Sequence, residues 1–321
     1  MIVRTLIFAA AALMATTALA GKAYVSNEKG NSVTIFDTET FEVIETVPVG
    51  QRPRGITISP SGHELYVCAS DMDTVEVYDP ETMLLLHTLP SGPDPELFVL
   101  HPSGNPLYIA NEDDNIVTVV DVVTHEVLAE VPVGVEPEGM TVSPDGKYVI
   151  NTSETTNMAH FINTETFELD INVLVGNRPR YAQYTSDGAK LYVTAEIGGV
   201  VNVIDPATGD MLNEISFAVP SVPPEALQPV GMRITGDDKT AFVALGPSNR
   251  VAVIDVATDE VLDYLLVGRR VWHMDFTPDE KYLFTTNGLT NDVSVIDVAS
   301  LKVINTIPVG ELPWGVVVAP E

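Results

Sequence analysis

A motif recurring seven times along the 321 residues predicts an all-β fold: a seven-bladed β-propeller of four-stranded antiparallel blades. The motif is an apolar run ending in Asp or Asn, followed three residues later by Thr or Ser. Its copies are Asp37/Thr40, Asp79/Thr82, Asp121/Thr124, Asn163/Thr166, Asp205/Thr208, Asp255/Thr258 and Asp297/Ser300. Successive copies are 42 residues apart, except for 50 between Asp205 and Asp255. Two further landmarks keep step. A glycine follows the anchor by 13 residues (Gly50, Gly92, Gly134, Gly176, Gly268, Gly310). Beyond it comes a proline (Pro53, Pro95, Pro137, Pro179, Pro229, Pro313), replaced by Val271 in the sixth repeat.

Each period divides into four short strands. In the second repeat these are 55–59, 64–69, 74–78 and 83–89, rich in β-branched and aromatic residues and parted by turns such as Ser59-Pro60-Ser61-Gly62. A helical repeat would need a 3.6-residue apolar period, which is absent. The first repeat supplies only three strands, at 23–27, 32–36 and 42–48. Its missing innermost strand is expected at Gly315–Ala319, so the first blade is closed by the C-terminal strand. Eight extra residues fall between Phe217 and Gln228, around Pro220, Pro223 and Pro224, and are expected on the channel-mouth face as a partial lid. The repeated Asp/Asn-x-x-Thr/Ser is read as an Asx-type turn, because one position used in every blade serves the backbone.

The chain starts with Arg4 before an apolar run from Leu6 to Met14 and a small-x-small site at Ala18-Leu19-Ala20. This is the pattern of a cleaved secretory signal over 1–20, leaving a single propeller domain over 21–321, exported and periplasmic. No later run is long enough to span a bilayer, so no membrane insertion is expected. Cys68 is the single cysteine, within an apolar strand, which excludes internal disulfides and a c-type haem site. The net charge of −29 repels phosphate, so nucleic acid is excluded as a partner, and a soluble monomer is expected.

Tyr148-Val149-Ile150-Asn151, Tyr108-Ile109-Ala110-Asn111 and Leu191-Tyr192-Val193-Thr194 resemble the YVTN-type β-propeller repeat, as does Asn291-Asp292-Val293-Ser294-Val295-Ile296-Asp297. The single-domain exported form with seven blades is similar to the PQQ-dependent catabolism-associated β-propeller proteins. That resemblance implies an accessory or binding role beside periplasmic quinoprotein oxidation, and PQQ fits it as the ligand; calcium or a lanthanide is the ion expected where the acidic groups hold one. The chain does not resemble a PQQ dehydrogenase itself: that family's blades carry repeated tryptophans and its site a vicinal disulfide, against two tryptophans and one cysteine here.

No G-x-S-x-G elbow or H-E-x-x-H helix is present, and the six histidines fall at different repeat positions. The informative feature is the loop leading into each innermost strand. Six of the nine arginines lie there (Arg52, Arg54, Arg178, Arg180, Arg269, Arg270), with both tryptophans, Trp272 and Trp314. Arg52 and Arg54 are expected beside Glu96, and Arg178 and Arg180 beside Glu138. Arg270, Trp272, His273 and Trp314 are expected to close the ring. Arginine next to tryptophan suits a planar anion, although the same arginines would also neutralise Asp94, Glu96, Glu136 and Glu138. Glu28, Asp71, Asp73, Glu112, Asp113 and Asp114 add an acidic rim able to hold a hard cation. Three functions stay open. They are a binding protein for a small anionic molecule, a metal-dependent lactonase-like hydrolase starting from Glu96 and Glu138, and an interaction platform for a periplasmic redox protein. All the site residues are expected to lie outside the strand ladders.

Overall fold

The computed structural model describes residues 21–320; the expected leader, 1–20, lies outside them. Twenty-eight strands, numbered β1 to β28 in chain order, form seven four-stranded antiparallel sheets. The innermost strands are β4 (Pro53–Ile58), β8 (Pro95–Leu100), β12 (Pro137–Val142), β16 (Pro179–Tyr184), β20 (Met232–Ile234), β24 (Val271–Phe276) and β28 (Pro313–Val318). Each contacts the next around a closed ring. The last strand pairs antiparallel with β1 (Lys22–Asn27), Ala23 opposite Val318, and Ala319 N donates to Lys22 O at 2.9 Å. The C-terminal strand therefore completes the first blade. Among the described residues no helix is long and apolar enough to cross a membrane.

The blades are held together by apolar packing between sheets. One position of the second strand is filled in turn by Tyr24, Tyr66, Tyr108, Ile150, Tyr192, Phe242 and Phe284, all essentially without exposure. Phe36 and Phe284 meet edge to face at 4.9 Å across the joint between the seventh and first blades. Cys68 is buried in the same layer, as a small hydrophobe. The anchors are Asx turns: Asp37 Oδ1 accepts from the backbone N–H of Glu39 and Thr40, and Asp121 Oδ1 from Val123 and Thr124. Those N–H groups hold the Asp121 carboxyl below its usual range, which is a structural role.

Two repeated devices place the mouth residues. Asn31, Asp73, Asn115, Asn157, Asn249 and Asn291 sit in the left-handed region that Asn and Asp tolerate, in the turn between second and third strands. Their side-chain oxygens accept the N–H of Arg52, Asp94, Glu136, Arg178, Arg270 and Leu312 in the following blade, at 2.9–3.2 Å. The fifth blade has Gly199 at that position, and there the connection with the extra residues departs. Its short helical turn, Pro224–Ala226, rests against Gly246–Ser248, and Gln228 Oε1 accepts from Arg270 Nη1 at 3.1 Å. The extra segment thus lies on the mouth face.

The second device is a β-bulge. In β4, Pro53 pairs with Ala69 but the next pair is Ile56 with Val67, so one residue is extra; β8, β12 and β24 repeat this. The bulge is satisfied by a hydroxyl from the neighbouring blade: Ser26 Oγ donates to Arg54 O, Thr152 Oγ1 to Pro179 O and Thr286 Oγ1 to Trp314 O. It refines one expectation. Arg54, Glu96, Glu138, Arg180, Trp272 and Trp314 fall within the spans of the innermost strands, but at the bulge, where they have no partner in the ladder.

Candidate functional site

The seven blades bring the inlet-loop residues together at one end of the channel, and the contacts are mostly ion pairs. Arg54 bonds Glu96 Oε2 and reaches Glu28 Oε1 at 3.2 Å. Arg52 pairs with Asp94, with Asp71 at 2.7 Å and with Glu96 Oε1 at 3.8 Å. Arg180 bonds Glu154 and meets Glu138 Oε1 at 3.1 Å. The expected Arg52/Arg54–Glu96 and Arg180–Glu138 neighbours are therefore in contact. Arg178 departs: its Nε lies 2.9 Å from Glu154 and 3.2 Å from Glu196, because its side chain turns to the rim while Arg180 points inward. Arg269 is exposed and makes no ion pair among the described residues.

The aromatic side closes as expected. Arg270 lies over the Trp272 ring at 4.1 Å and Arg180 at 5.6 Å, while Arg54 lies 5.8 Å from the Trp314 ring. His273 packs on Trp314 at 4.2 Å between ring centroids. Arg270 also reaches Glu196 Oε1 at 2.8 Å, tying the aromatic arc to the acidic one.

Glu154 and Glu196 were not singled out by sequence reasoning, although a signal for them exists. Glu28, Glu112, Glu154 and Glu196 lie at one repeat position, the residue after each second strand, at multiples of 42 residues. His160 is structural: its Nε2 accepts from Gly134 N at 3.0 Å.

Charge is the decisive property of this site. Five guanidiniums (Arg52, Arg54, Arg178, Arg180, Arg270) face nine carboxylates (Glu28, Asp71, Asp94, Glu96, Glu112, Glu136, Glu138, Glu154, Glu196). Glu96 and Glu138 are 0% and 1% exposed, and Glu96 Oε1 and both Glu138 oxygens make no hydrogen bond. Burial, and for Glu96 the adjacent Glu138 charge, push both carboxyls above the usual carboxylate range, against the pull of Arg54 and Arg180. Burial also lifts Glu154 to about 7, the guanidinium of Arg180 opposing it and Glu138 adding to it. Asp94, Glu96 and Glu112 bring oxygens within 4.8 Å of one another, as do Glu112, Glu136 and Glu154. These two triads share Glu112 and are the places among the described residues where a hard cation fits.

The family model described as "Lactonase, 7-bladed beta-propeller" matches residues 9–96, about a quarter of the chain. That stretch contains Arg52, Arg54 and Glu96. No curated protein matches the chain. Among solved structures, Kuenenia stuttgartiensis hydrazine synthase is 23% identical, covering 86% of this chain and 92% of that one, with a TM-score of 0.79. A functionally unknown protein from Desulfotomaculum acetoxidans is 15% identical over 94% of this chain and 100% of its own, also at 0.79. A candidate 6-phosphogluconolactonase from Bacteroides fragilis is 21% identical over 94% and 99%, at 0.76. At these identities the likeness establishes the fold, a seven-bladed propeller.

Proposed function

We propose that this propeller is an exported binding protein whose channel mouth takes a small, planar anionic molecule. One observation carries the reading: Arg270 and Arg180 both lie over the partly exposed Trp272 ring, with Arg54 against the buried Trp314 behind them, so cation and aromatic faces converge at one opening. A planar carboxylate slots between such groups, stacking on indole and bonding guanidinium edges.

Because those guanidiniums are already paired, an incoming anion must displace carboxylates, and the displaced carboxyls have to take up protons. Glu154, lifted to about 7, is poised to do so and thereby loosen its hold on Arg178 and Arg180. A hard cation on the Glu112 triads would serve the same neutralisation. PQQ, a planar tricarboxylate, fits this chemistry and the setting implied by the repeat resemblance, an accessory role in PQQ-dependent alcohol oxidation. The Pro220–Pro224 segment on the mouth face would act as a partial lid.

A second reading is favoured by the family match over residues 9–96: hydrolysis of a lactone. Water would add to the ring carbonyl, the ring C–O bond would break, and the alkoxide would take a proton, leaving a hydroxy acid. A buried carboxyl titrating near neutrality, Glu154, is suited to pass that proton. Thermal unfolding of the processed chain with PQQ, with calcium or a lanthanide, and with γ- and δ-lactones separates the readings. Stabilisation by PQQ supports the binding protein. A metal-dependent shift with a lactone, without a response to PQQ, supports the hydrolase. No response to any of them leaves the acidic rim as a platform for a basic redox partner.

A further inference from the structure

Beneath the mouth, all seven innermost strands line a cavity of about 190 Å³ on the propeller axis. Residues two apart on a strand share a face, so each strand sends alternate side chains inward. One layer below the mouth carries Tyr181 and His273; the next carries Arg233 and Asp275. None of the arginine, tyrosine and aspartate of this group belongs to the mouth.

Arg233 is the single guanidinium among the residues lining this cavity. Its Nε bonds Asp275 Oδ1 at 3.1 Å, and its Nη1 bonds the Tyr181 hydroxyl and, at 3.0 Å, Met232 O. Among the described residues its Nη2 makes no hydrogen bond. His273, 6% exposed, lines the same space, and its Nε2 has no partner. The field there is positive: burial first, then Arg180, Arg233 and Arg54, hold His273 well below its ordinary range, so it is a neutral imidazole able to donate one N–H. The remaining wall is mixed, with Leu97, Phe98 and Met140 beside Thr57 and Thr141. A guanidinium edge and a buried imidazole nitrogen without a partner, on one side of a small chamber that also holds Leu97, Phe98 and Met140, call for an acceptor on a short body.

We infer that the axial cavity, one layer below the mouth and adjoining it through His273 and Trp314, is a second ligand site taking a short-chain carboxylate whose oxygens meet Arg233 Nη2 and His273 Nε2. It goes beyond the mouth reading and does not depend on it.

Saturation-transfer NMR and a chemical-shift titration with butyrate, on the full chain, test the site. Butyrate should bind saturably, and Arg233→Gln should weaken it at least about tenfold, the scale of one charge-assisted hydrogen bond. Leu97→Phe, which fills the chamber without touching a charge, should abolish binding. It carries the test if the arginine variant does not fold. Arg178→Ala, at the rim, should leave butyrate affinity unchanged while weakening any ligand of the mouth. Absence of saturable butyrate binding, binding unaffected by both channel variants, or binding lost with Arg178→Ala alone would overturn the site. The last outcome would assign butyrate to the mouth and leave the mouth reading standing.

Discussion

At the scale of single residues, the mouth places charge where burial makes it costly. Arg180 is 5% exposed and touches Glu138 and Glu154, which are buried with it. Removing one partner of such a cluster leaves uncompensated buried charge, typically about 3–5 kcal/mol. Arg180→Ala should therefore lower the unfolding free energy by about that amount, read by denaturant titration. Glu154 gives a signed pH prediction. Its folded pKa, about 7, lies above the ordinary glutamate value of 4.5, so the folded state binds more protons between those values. Stability should fall as pH rises from about 5 to about 8, and Glu154→Gln should flatten that slope in thermal unfolding. The residue types of this site were legible in the sequence: arginine and tryptophan are rare and gather in the inlet loops. Their partners were less so. Glu154 and Glu196 stand on another loop, and only the shared 42-residue register brings them near Arg178 and Arg180. Arg233 gave no signal, since it sits on a strand whose channel-facing side cannot be told from sequence alone.

At the scale of elements, the strands expected in the second repeat match the observed ones to within a residue or two at most ends. The informative difference is at the inner strand, expected from Gly55 but starting at Pro53. A bulge adds a residue there, and bulges leave no mark in an alternating pattern. For that reason Arg54 and its counterparts read as loop residues, although they are strand residues with fixed backbones. Ring closure was legible because the count of strands left one blade a strand short. It rests on β28, whose Gly315 N also bonds Ser26 Oγ at 3.0 Å. Deleting the last seven residues removes most of that strand and exposes the inner edge of β1. Calorimetry should show a drop in melting temperature of well over about 10 °C or loss of cooperative unfolding. A drop of a few degrees would mean that the ring does not depend on this joint.

At the scale of the whole molecule, period and charge carry the information. Seven copies of a 42-residue unit leave little freedom in topology, which is why the fold was readable in full. Function was readable only as a location, because propellers place different chemistries on the same loops. Export is a prediction at the same scale: mass spectrometry of protein from the periplasm should find Gly21 as the first residue, and retention of 1–20 would overturn it. The central claim is that the mouth binds a planar anion through its arginines, with carboxyls taking up protons as it does. Isothermal titration calorimetry of PQQ at pH 6 and pH 8, on the parent chain and on Arg54→Ala, tests it most directly. Binding should be tighter at pH 6, by up to about tenfold for one linked proton, and the variant should lose about 1.5–3 kcal/mol. Binding that is equal at both pH values and indifferent to Arg54 would contradict it.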